Sequence, residues 1–138
     1  MWLSKLALAA TLTFGLWAGG TTAGNAAPQR SMQGAWVQGK ELCDEVFTSA
    51  GKAIAFKKPV DAFSPAFIIS GQQIRTPQAS CRIRGEKKSG ERRILSLACA
   101  NSISVGDAKA DIEILEDGTL RRYLNDQDKV GSKYERCR

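Results

Sequence analysis

Short hydrophobic stretches alternate with turn-forming residues along most of this 138-residue chain. Stretches of this length and spacing are typical of β-strands in a sandwich or barrel. The predicted strands are 32–37, 52–57, 66–70, 73–76, 79–84, 92–100, 108–115, 119–124 and 132–137. Hydrophobic residues at helical spacing predict one or two helical turns at 40–48, and two prolines predict a loop at 57–65. We therefore expect an all-β domain, either a small antiparallel β-barrel or a sandwich.

Three pairs of these strands are predicted to form hairpins. Asp117-Gly118 separates the strands 108–115 and 119–124, and Ser70-Gly71-Gln72 separates 66–70 from 73–76. Glycine supplies the positive φ that such tight turns need. The third hairpin turns around Lys88-Ser89-Gly90. With a three-residue loop at 89–91, each residue of the first strand would face the residue of the second strand whose number adds up with its own to 180. Strand alternation then puts the hydrophobic residues of both strands on one face.

The four cysteines are predicted to form two structural disulfides. In the third hairpin, that register sets Cys81 opposite Cys99 and Ile83 opposite Leu97, which leaves Cys43 to pair with Cys137. Four cysteines allow three pairings, so the sequence alone leaves the other two open. No Cys-x-x-Cys is present for redox chemistry. The paired short spacings of a zinc site are also missing, and the chain has no histidine. We expect no metal.

The first 26 residues have the layout of a secretory signal peptide. Lys5 precedes a hydrophobic run of about a dozen residues, and small residues follow up to Ala26. The run is shorter than the ~20 residues that span a bilayer, so we expect cleavage rather than a membrane anchor. Residues 27–138 then form a single domain in the periplasm or outside the cell, where disulfides persist.

Composition argues against catalysis. The absence of histidine removes the commonest general base near neutral pH and every Ser-His or Cys-His nucleophile arrangement. No glycine-rich phosphate loop is present, and the candidate calcium loop that begins at Asp126 lacks the required ligand pattern. We therefore expect a binding protein that is not an enzyme and that uses no cofactor.

Basic residues are concentrated in the hairpin between Cys81 and Cys99. The net charge of the whole chain is +6. Arg82, Arg84, Lys87 and Lys88 form the densest cluster, which could attract an anionic polymer or an acidic protein. The alternative is a solvated hairpin whose charges prevent edge-to-edge strand pairing. Aromatic residues do not alternate with these basic ones, so nucleic-acid binding is not expected.

Gly34-Ala35-Trp36, on the first predicted strand, resembles the Gly-x-Trp signature of lipocalin-like barrels. The resemblance implies that Trp36 closes one end of a barrel and stacks against an arginine of a late strand. Candidates for that arginine are Arg121, Arg122 and Arg136. The alternative is that Trp36 is an ordinary core aromatic residue. In a carrier of this kind, Trp36 would lie next to the ligand.

In size, the domain resembles the periplasmic metalloprotease inhibitors of the Inh type, which are compact exported eight-stranded barrels. It is also similar to other small exported proteins of proteobacteria. In the inhibitors, a cysteine follows Gly-x-Trp at short distance, as Cys43 does here. Their single disulfide differs from this chain, in which Cys81 and Cys99 add a second.

The resemblance to the inhibitors implies that the segment before the barrel enters a protease cleft. Its residues after Ala27 are Pro28, Gln29, Arg30 and Ser31. A disordered terminus is the alternative. The sequence therefore predicts an exported binding protein, with a hydrolase inhibitor as the first specific hypothesis. A lipocalin-like carrier of a small apolar ligand and an envelope component that binds an anionic polymer are the alternatives.

Overall fold

A computed structural model describes residues 31–51 and 53–138. Eight antiparallel strands form a closed barrel in the order β1-β10-β9-β8-β7-β6-β5-β4, and β2 pairs with β3 in a separate hairpin. A 3-10 turn at Lys40–Leu42 leads directly into the short helix α1 (Cys43–Val46). The strands are β1 (Gly34–Val37), β2 (Phe47–Ala50), β3 (Ala53–Phe56), β4 (Ala66–Ser70), β5 (Gln73–Arg75), β6 (Ser80–Ser89), β7 (Arg92–Ala100), β8 (Val105–Ile114), β9 (Leu120–Tyr123) and β10 (Ser132–Cys137).

The predicted all-β fold is confirmed, and it is the barrel rather than the sandwich. Two predicted hairpins form as expected, with Ile114 opposite Leu120 and Ser70 opposite Gln73. Gly118 and Gly71 adopt φ values of 81° and 59° in their turns. This left-handed conformation is strained for residues with a Cβ, which explains the glycines.

The hairpin of β6 and β7 has the predicted register near the cysteines and a different turn. Cys81 faces Cys99 and Ile83 faces Leu97, as expected. The predicted three-residue loop at 89–91 is wrong, because Ser89 pairs with Arg92 across a two-residue turn. A β-bulge between Ile83 and Gly85 supplies the extra residue that restores the register.

The inner core of the barrel consists of the inward side chains of alternating strand positions. Trp36, Leu95 and Leu120 are fully buried in it. The remaining buried members are Met32, Ile69, Ile74, Cys81, Leu97, Ile112 and Tyr134. The alternation of buried and exposed residues in these strands is that of a sheet with one face in a core.

A second, outer core covers the outside of β1 and β4. Ala35, Val37 and Ile68 point away from the barrel and are buried under α1 and the β2–β3 hairpin. Phe47 and Phe56 stack in that hairpin with their ring centroids 5.3 Å apart. The helical turns predicted at 40–48 therefore end at Val46, and β2 begins where the sequence predicted helix.

Each core contains one disulfide, and both pairings are as predicted. Cys81–Cys99 lies in the wall of the inner core, where the two residues are directly opposite each other on β6 and β7. Cys43–Cys137 joins α1 to the outward face of β10 with a Cα–Cα distance of 5.6 Å.

The predicted signal peptide at 1–26 and the residues Pro28, Gln29 and Arg30 lie outside the described residues. Within the described part of the chain, no helix is long and apolar enough to cross a membrane.

Candidate functional site: a cavity at one end of the barrel

The two ends of the barrel are formed by different kinds of connection. We call the open end the one formed by the loops at 57–65, 76–79, 101–104 and 124–131. We call the closed end the one formed by Met32 and by the tight turns at 71–72, 90–91 and 115–119. Antiparallel strands alternate in direction, so every second connection lies at the same end.

A cavity of about 390 Å³ lies inside the barrel at the open end. This volume is within the range of small-molecule sites, roughly 300–1,000 Å³. Its walls are mostly apolar and include both cysteines of the Cys81–Cys99 disulfide. The large side chains that line it are Phe67, Ile69, Ile74, Leu97, Ile112 and Tyr134.

Small residues on β8 explain why this end of the barrel is hollow. Ala108 and Ala110 point inward, opposite Leu97 and Leu95 of β7, and both line the cavity. Two side chains of one carbon each leave space that larger residues fill on other strands. Three depressions on the outer surface have volumes of about 400 to 480 Å³, so the apolar walls of this cavity, and not its size, distinguish it.

The charged residues that line the cavity are both basic. Arg122 lies on the inner face of β9, opposite Ile112, and Lys109 lies at the rim on β8. No aspartate or glutamate is among the lining residues. Within residues 31–51 and 53–138, the Arg122 guanidinium makes no ion pair and no hydrogen bond. Among the lining residues, Arg122 therefore supplies a positive charge without a carboxylate partner, whereas Lys109 lies between Asp107 and Asp111 on the outer face of β8.

The closed end is filled by Trp36. Its side chain is fully buried, and Nε1 donates a hydrogen bond of 2.9 Å to the carbonyl oxygen of Met32. The guanidinium of Arg136 lies over the indole ring, with Cζ 4.6 Å from the ring centroid, and Nη2 donates to the carbonyl oxygen of Ser31. A cation over an aromatic face is attracted by the ring quadrupole.

Of the three arginines considered as partners of Trp36, Arg136 occupies that position. Gly34, beside the Arg136 side chain, has a φ of 132°, which residues with a Cβ rarely adopt. Trp36 itself is not among the residues that line the cavity, so the structure places it at the closed end, away from that space.

The basic residues predicted to bind a partner lie outside the barrel. Arg82, Arg84, Lys87 and Lys88 are all exposed, and none forms an ion pair with another described residue. Beyond Arg82, β6 pairs only with β7, so one edge of the strand is open. After the bulge, Lys87 lies on the outer face of β6 and Lys88 on the face of Leu95, so these side chains lie on both sides of the strand. We call the open edge and these four residues the basic edge.

One ion pair stabilises the hairpin that carries the basic edge. Glu86 accepts two hydrogen bonds from Arg93, at 2.5 and 3.1 Å. These bonds lower the pKa of Glu86 below its usual value, and burial opposes the effect. The bulge after Ile83 turns Glu86 to the same face as Leu95, which brings its carboxylate to Arg93.

The loop at 124–131 is held against the barrel by Asp128 and Arg92. The Asp128 carboxylate accepts hydrogen bonds from the backbone N–H groups of Leu124, Val130 and Gly131, and these bonds lower its pKa. The Arg92 guanidinium donates to the carbonyl oxygen of Asp128 at 2.6 Å. This loop of the open end is therefore ordered by its own polar contacts.

Comparison of the chain with protein-family models, with curated proteins and with solved structures gives no match. Sequence reasoning did not find the cavity, and it considered Arg122 only as a candidate partner of Trp36. Two features of the sequence could have indicated this site. Ala108 and Ala110 are small residues on one face of a predicted strand, and Arg122 lies two positions after Leu120, on the same face of the next strand.

Proposed function

We propose that the protein is an exported, non-enzymatic binding protein that carries a small ligand in the cavity at the open end. The cavity of about 390 Å³ carries this proposal, because its walls are mostly apolar and its opening faces away from the packed closed end. Such a cavity stabilises a ligand by removing apolar surface from water. The stacking of Arg136 on Trp36 is the arrangement that the lipocalin-like resemblance implies, and it supports the same proposal.

The ligand that suits this cavity has an apolar body and an acidic group. The apolar body would contact side chains such as Phe67, Ile69 and Ile112, and the acidic group would reach Arg122 at the mouth. A charge-assisted hydrogen bond from a guanidinium to a carboxylate or sulfonate is about twice as strong as a neutral one.

Export is supported by the two disulfides and by the features of residues 1–26. Disulfides persist in the periplasm and outside the cell and are rare in the cytosol. We place the protein in one of these two compartments.

The test uses two fluorescent probes of similar shape, the uncharged phenylnaphthylamine and the anionic anilinonaphthalene sulfonate. We expect both to bind at one site and to be displaced by a medium-chain fatty acid. Ala110→Leu, which puts a larger side chain into the cavity, should abolish binding of both probes. Arg122→Gln should weaken binding of the sulfonate by about tenfold, the loss of one charge-assisted contact, and leave the amine unchanged.

Ala98→Leu is the matched control for the first variant. Ala98 is a small residue of β7 that faces outward, opposite Arg82, so the same enlargement does not enter the cavity. Probe binding that survives Ala110→Leu while Ala98→Leu removes it would place the site outside the barrel and would disprove the carrier proposal.

The second candidate function is binding of an anionic polymer by the basic edge. Four exposed positive charges without ion pairs, next to an open strand edge, favour it. Such binding should weaken strongly with salt, since exposed charges are screened beyond about 8 Å at physiological ionic strength. Replacing Arg82, Arg84, Lys87 and Lys88 with serine should abolish retention on a heparin column. Retention unchanged by both treatments would rule this function out.

The hydrolase-inhibitor hypothesis stays a prediction. It depends on residues 27–31, of which the structure describes Ser31 alone. Ser31 lies at the closed end, where its carbonyl oxygen accepts the hydrogen bond from Arg136. Deleting residues 27–30 should abolish inhibition of a target hydrolase if this segment enters its cleft.

A further inference from the structure

A buried tyrosine lines the cavity at the open end of the barrel. Tyr134 of β10 is 5% exposed, and it is one of the residues that form the cavity wall. Other polar residues of that wall, such as Asn101, Lys109 and Arg122, are exposed. Tyr134 is therefore a polar residue in the interior part of the wall, among the side chains of the inner core.

The two tyrosines of the chain differ in what their hydroxyl groups contact. Both residues are buried. The Tyr123 hydroxyl, on the outer wall of the barrel, donates a hydrogen bond of 2.6 Å to a carboxylate oxygen of Glu113. Within residues 31–51 and 53–138, the Tyr134 hydroxyl has no hydrogen-bond partner. Since a buried tyrosine hydroxyl usually has a partner, this group is available to a ligand.

The Tyr134 hydroxyl is accessible from the cavity. In the described part of the chain, the side-chain atoms that are both fully enclosed and without a partner are Asp111 Oδ1 and Arg121 Nε. The Tyr134 oxygen is not one of them, so part of its surface is accessible although the residue as a whole is buried. The space next to this side chain is the cavity that it lines, and the hydroxyl therefore faces that cavity.

Packing holds the ring that carries this hydroxyl. The centroids of the Tyr134 and Phe67 rings are 4.9 Å apart, and the ring planes are tilted by 59°. Tilted pairs of this kind are favourable because the edge of one ring meets the face of the other. Leu120, which is fully buried, lies directly opposite Tyr134 on β9. A polar group on a side chain that is held in this way suits the recognition of one particular ligand atom.

Arg122 and Tyr134 are close enough to contact one ligand. On β9 and β10, Tyr134 faces Leu120, and Arg122 faces Ser132. Tyr134 and Arg122 are therefore diagonal neighbours on the inner face, and such residues are about 7–8 Å apart. A ligand whose acidic group is bound by Arg122 thus passes Tyr134 within a few bonds of that group.

We infer that the cavity selects an acidic amphiphile with a second oxygen, a hydroxyl or a carbonyl, near its acidic group, and that Tyr134 recognises this oxygen. The inference rests on the proposed carrier function and names the class of its ligand. A ligand with a purely apolar body would separate the Tyr134 hydroxyl from water and leave it unpaired, which is unfavourable. A site that binds a ligand oxygen therefore discriminates against the analogue without it.

The experiment compares fatty acids that compete with anilinonaphthalene sulfonate for the purified, oxidised protein. Decanoate and β-hydroxydecanoate have the same carboxylate and the same chain length, so they differ in one hydroxyl group. We expect β-hydroxydecanoate to bind about fivefold more tightly, which is the effect of one additional hydrogen bond. ω-Hydroxydecanoate has its hydroxyl at the far end of the chain and should show no such gain.

Tyr134→Phe removes the hydroxyl and keeps a ring against Phe67. This variant should lose the preference for β-hydroxydecanoate and bind decanoate at least as tightly as the wild type does. Tyr123→Phe is the matched control, because it removes the other tyrosine hydroxyl, on the outer wall, and should keep the preference. Thermal unfolding shows whether each variant keeps its fold.

The results separate this inference from the carrier proposal. If decanoate displaces the probe and β-hydroxydecanoate binds no more tightly, the carrier proposal stands and the inference is overturned. A preference that Tyr134→Phe keeps, or that ω-hydroxydecanoate shares, would overturn it in the same way. If none of these acids displaces the probe, the carrier proposal and the inference are both wrong.

Discussion

The two ends of the barrel are built from the same eight strands and differ in what fills them. At the closed end, Trp36 is fully buried, bonded to Met32 and stacked against Arg136. At the open end, the inward residues Ala108 and Ala110 leave a cavity of about 390 Å³. The loops differ too, since the closed end has polar turns, whereas Phe63 and Ile103 are exposed in loops of the open end.

This difference indicates that the barrel has its closest packing at one end of its axis and its largest unfilled interior space at the other. Packed side chains stabilise a fold by burial and dispersion, and an unfilled space gives up both. A cavity is tolerated at one end because the other end and the outer core supply the missing packing. Substitutions at the two ends should therefore have effects of different kinds.

The largest effect on stability is expected at Trp36. Trp36→Ala should lower the free energy of unfolding by about 3–5 kcal/mol, because it leaves a large void in a fully buried site. Ala110→Leu, at the open end, should cost less than about 1.5 kcal/mol because the cavity has room for the added carbons. Urea denaturation followed by circular dichroism measures both. Equal costs would remove the distinction between the ends.

The disulfide that lines the cavity should stabilise the open end more than any single surface charge does. Replacing Cys81 and Cys99 with alanine removes a cross-link between residues 18 positions apart. In the chain-entropy model, this loss lowers the free energy of unfolding by about 3 kcal/mol. Arg82→Ser, on the outside of the same strand, should change stability by no more than about 0.5 kcal/mol. Thermal midpoints under oxidising conditions that do not differ between these variants would contradict this prediction.

Arg136 and Arg122 give the sharpest comparison between the ends, because both are inward-facing arginines on neighbouring strands. Arg136→Gln should cost about 0.5–2 kcal/mol, since it removes the guanidinium from the Trp36 ring. Arg122→Gln should leave the denaturation midpoint unchanged, because that side chain has no partner among residues 31–51 and 53–138. A larger cost for Arg122→Gln would show that its charge is structural.

The smallest effect is expected from acid at Asp128. Hydrogen bonds from three backbone N–H groups lower its pKa below the ordinary aspartate value of 3.8. A carboxyl group whose pKa is lower in the folded protein contributes its full stabilisation at pH values above its unfolded-state pKa. That contribution is lost as the pH falls through the folded-state pKa.

Hydrogen exchange of the Leu124, Val130 and Gly131 amides should therefore accelerate, relative to the intrinsic rate, only below the ordinary pKa of Asp128. Asp128→Asn should remove this pH dependence. The same acid-induced loss of protection in the variant would assign the effect to another group, such as Glu86.

Much of the barrel follows from local sequence patterns. The strands 66–70, 92–100 and 132–137 have the predicted boundaries, because alternation and flanking turn residues define them. The Cys81–Cys99 pairing and the register around it were predicted together from strand alternation, and both are confirmed. The bulge at Arg84 was not predictable, because a bulge together with a shorter turn gives the same register at the cysteines as a longer loop does.

The outer core and the cavity depend on contacts that local patterns do not encode. Residues 35–37 and 66–69 are hydrophobic on both faces, which is a sign of strands covered on both sides. The sequence did not show that β2 and β3 provide the cover, since Phe47 also fits the helical spacing of 40–48. The choice of Arg136 over Arg121 and Arg122 likewise depended on the closure of β10 onto β1.

The Cys43–Cys137 bridge has a consequence for the loops at 57–65, 101–104 and 124–131. It closes a covalent ring across 94 positions, and every strand from β2 to β9 lies inside that ring. A protease that cuts the 57–65, 101–104 or 124–131 loop would therefore release no fragment until the bridge is reduced. The nicked chain would migrate as one species on a non-reducing gel, so any one of these loops can be cut without detaching the rest of the protein.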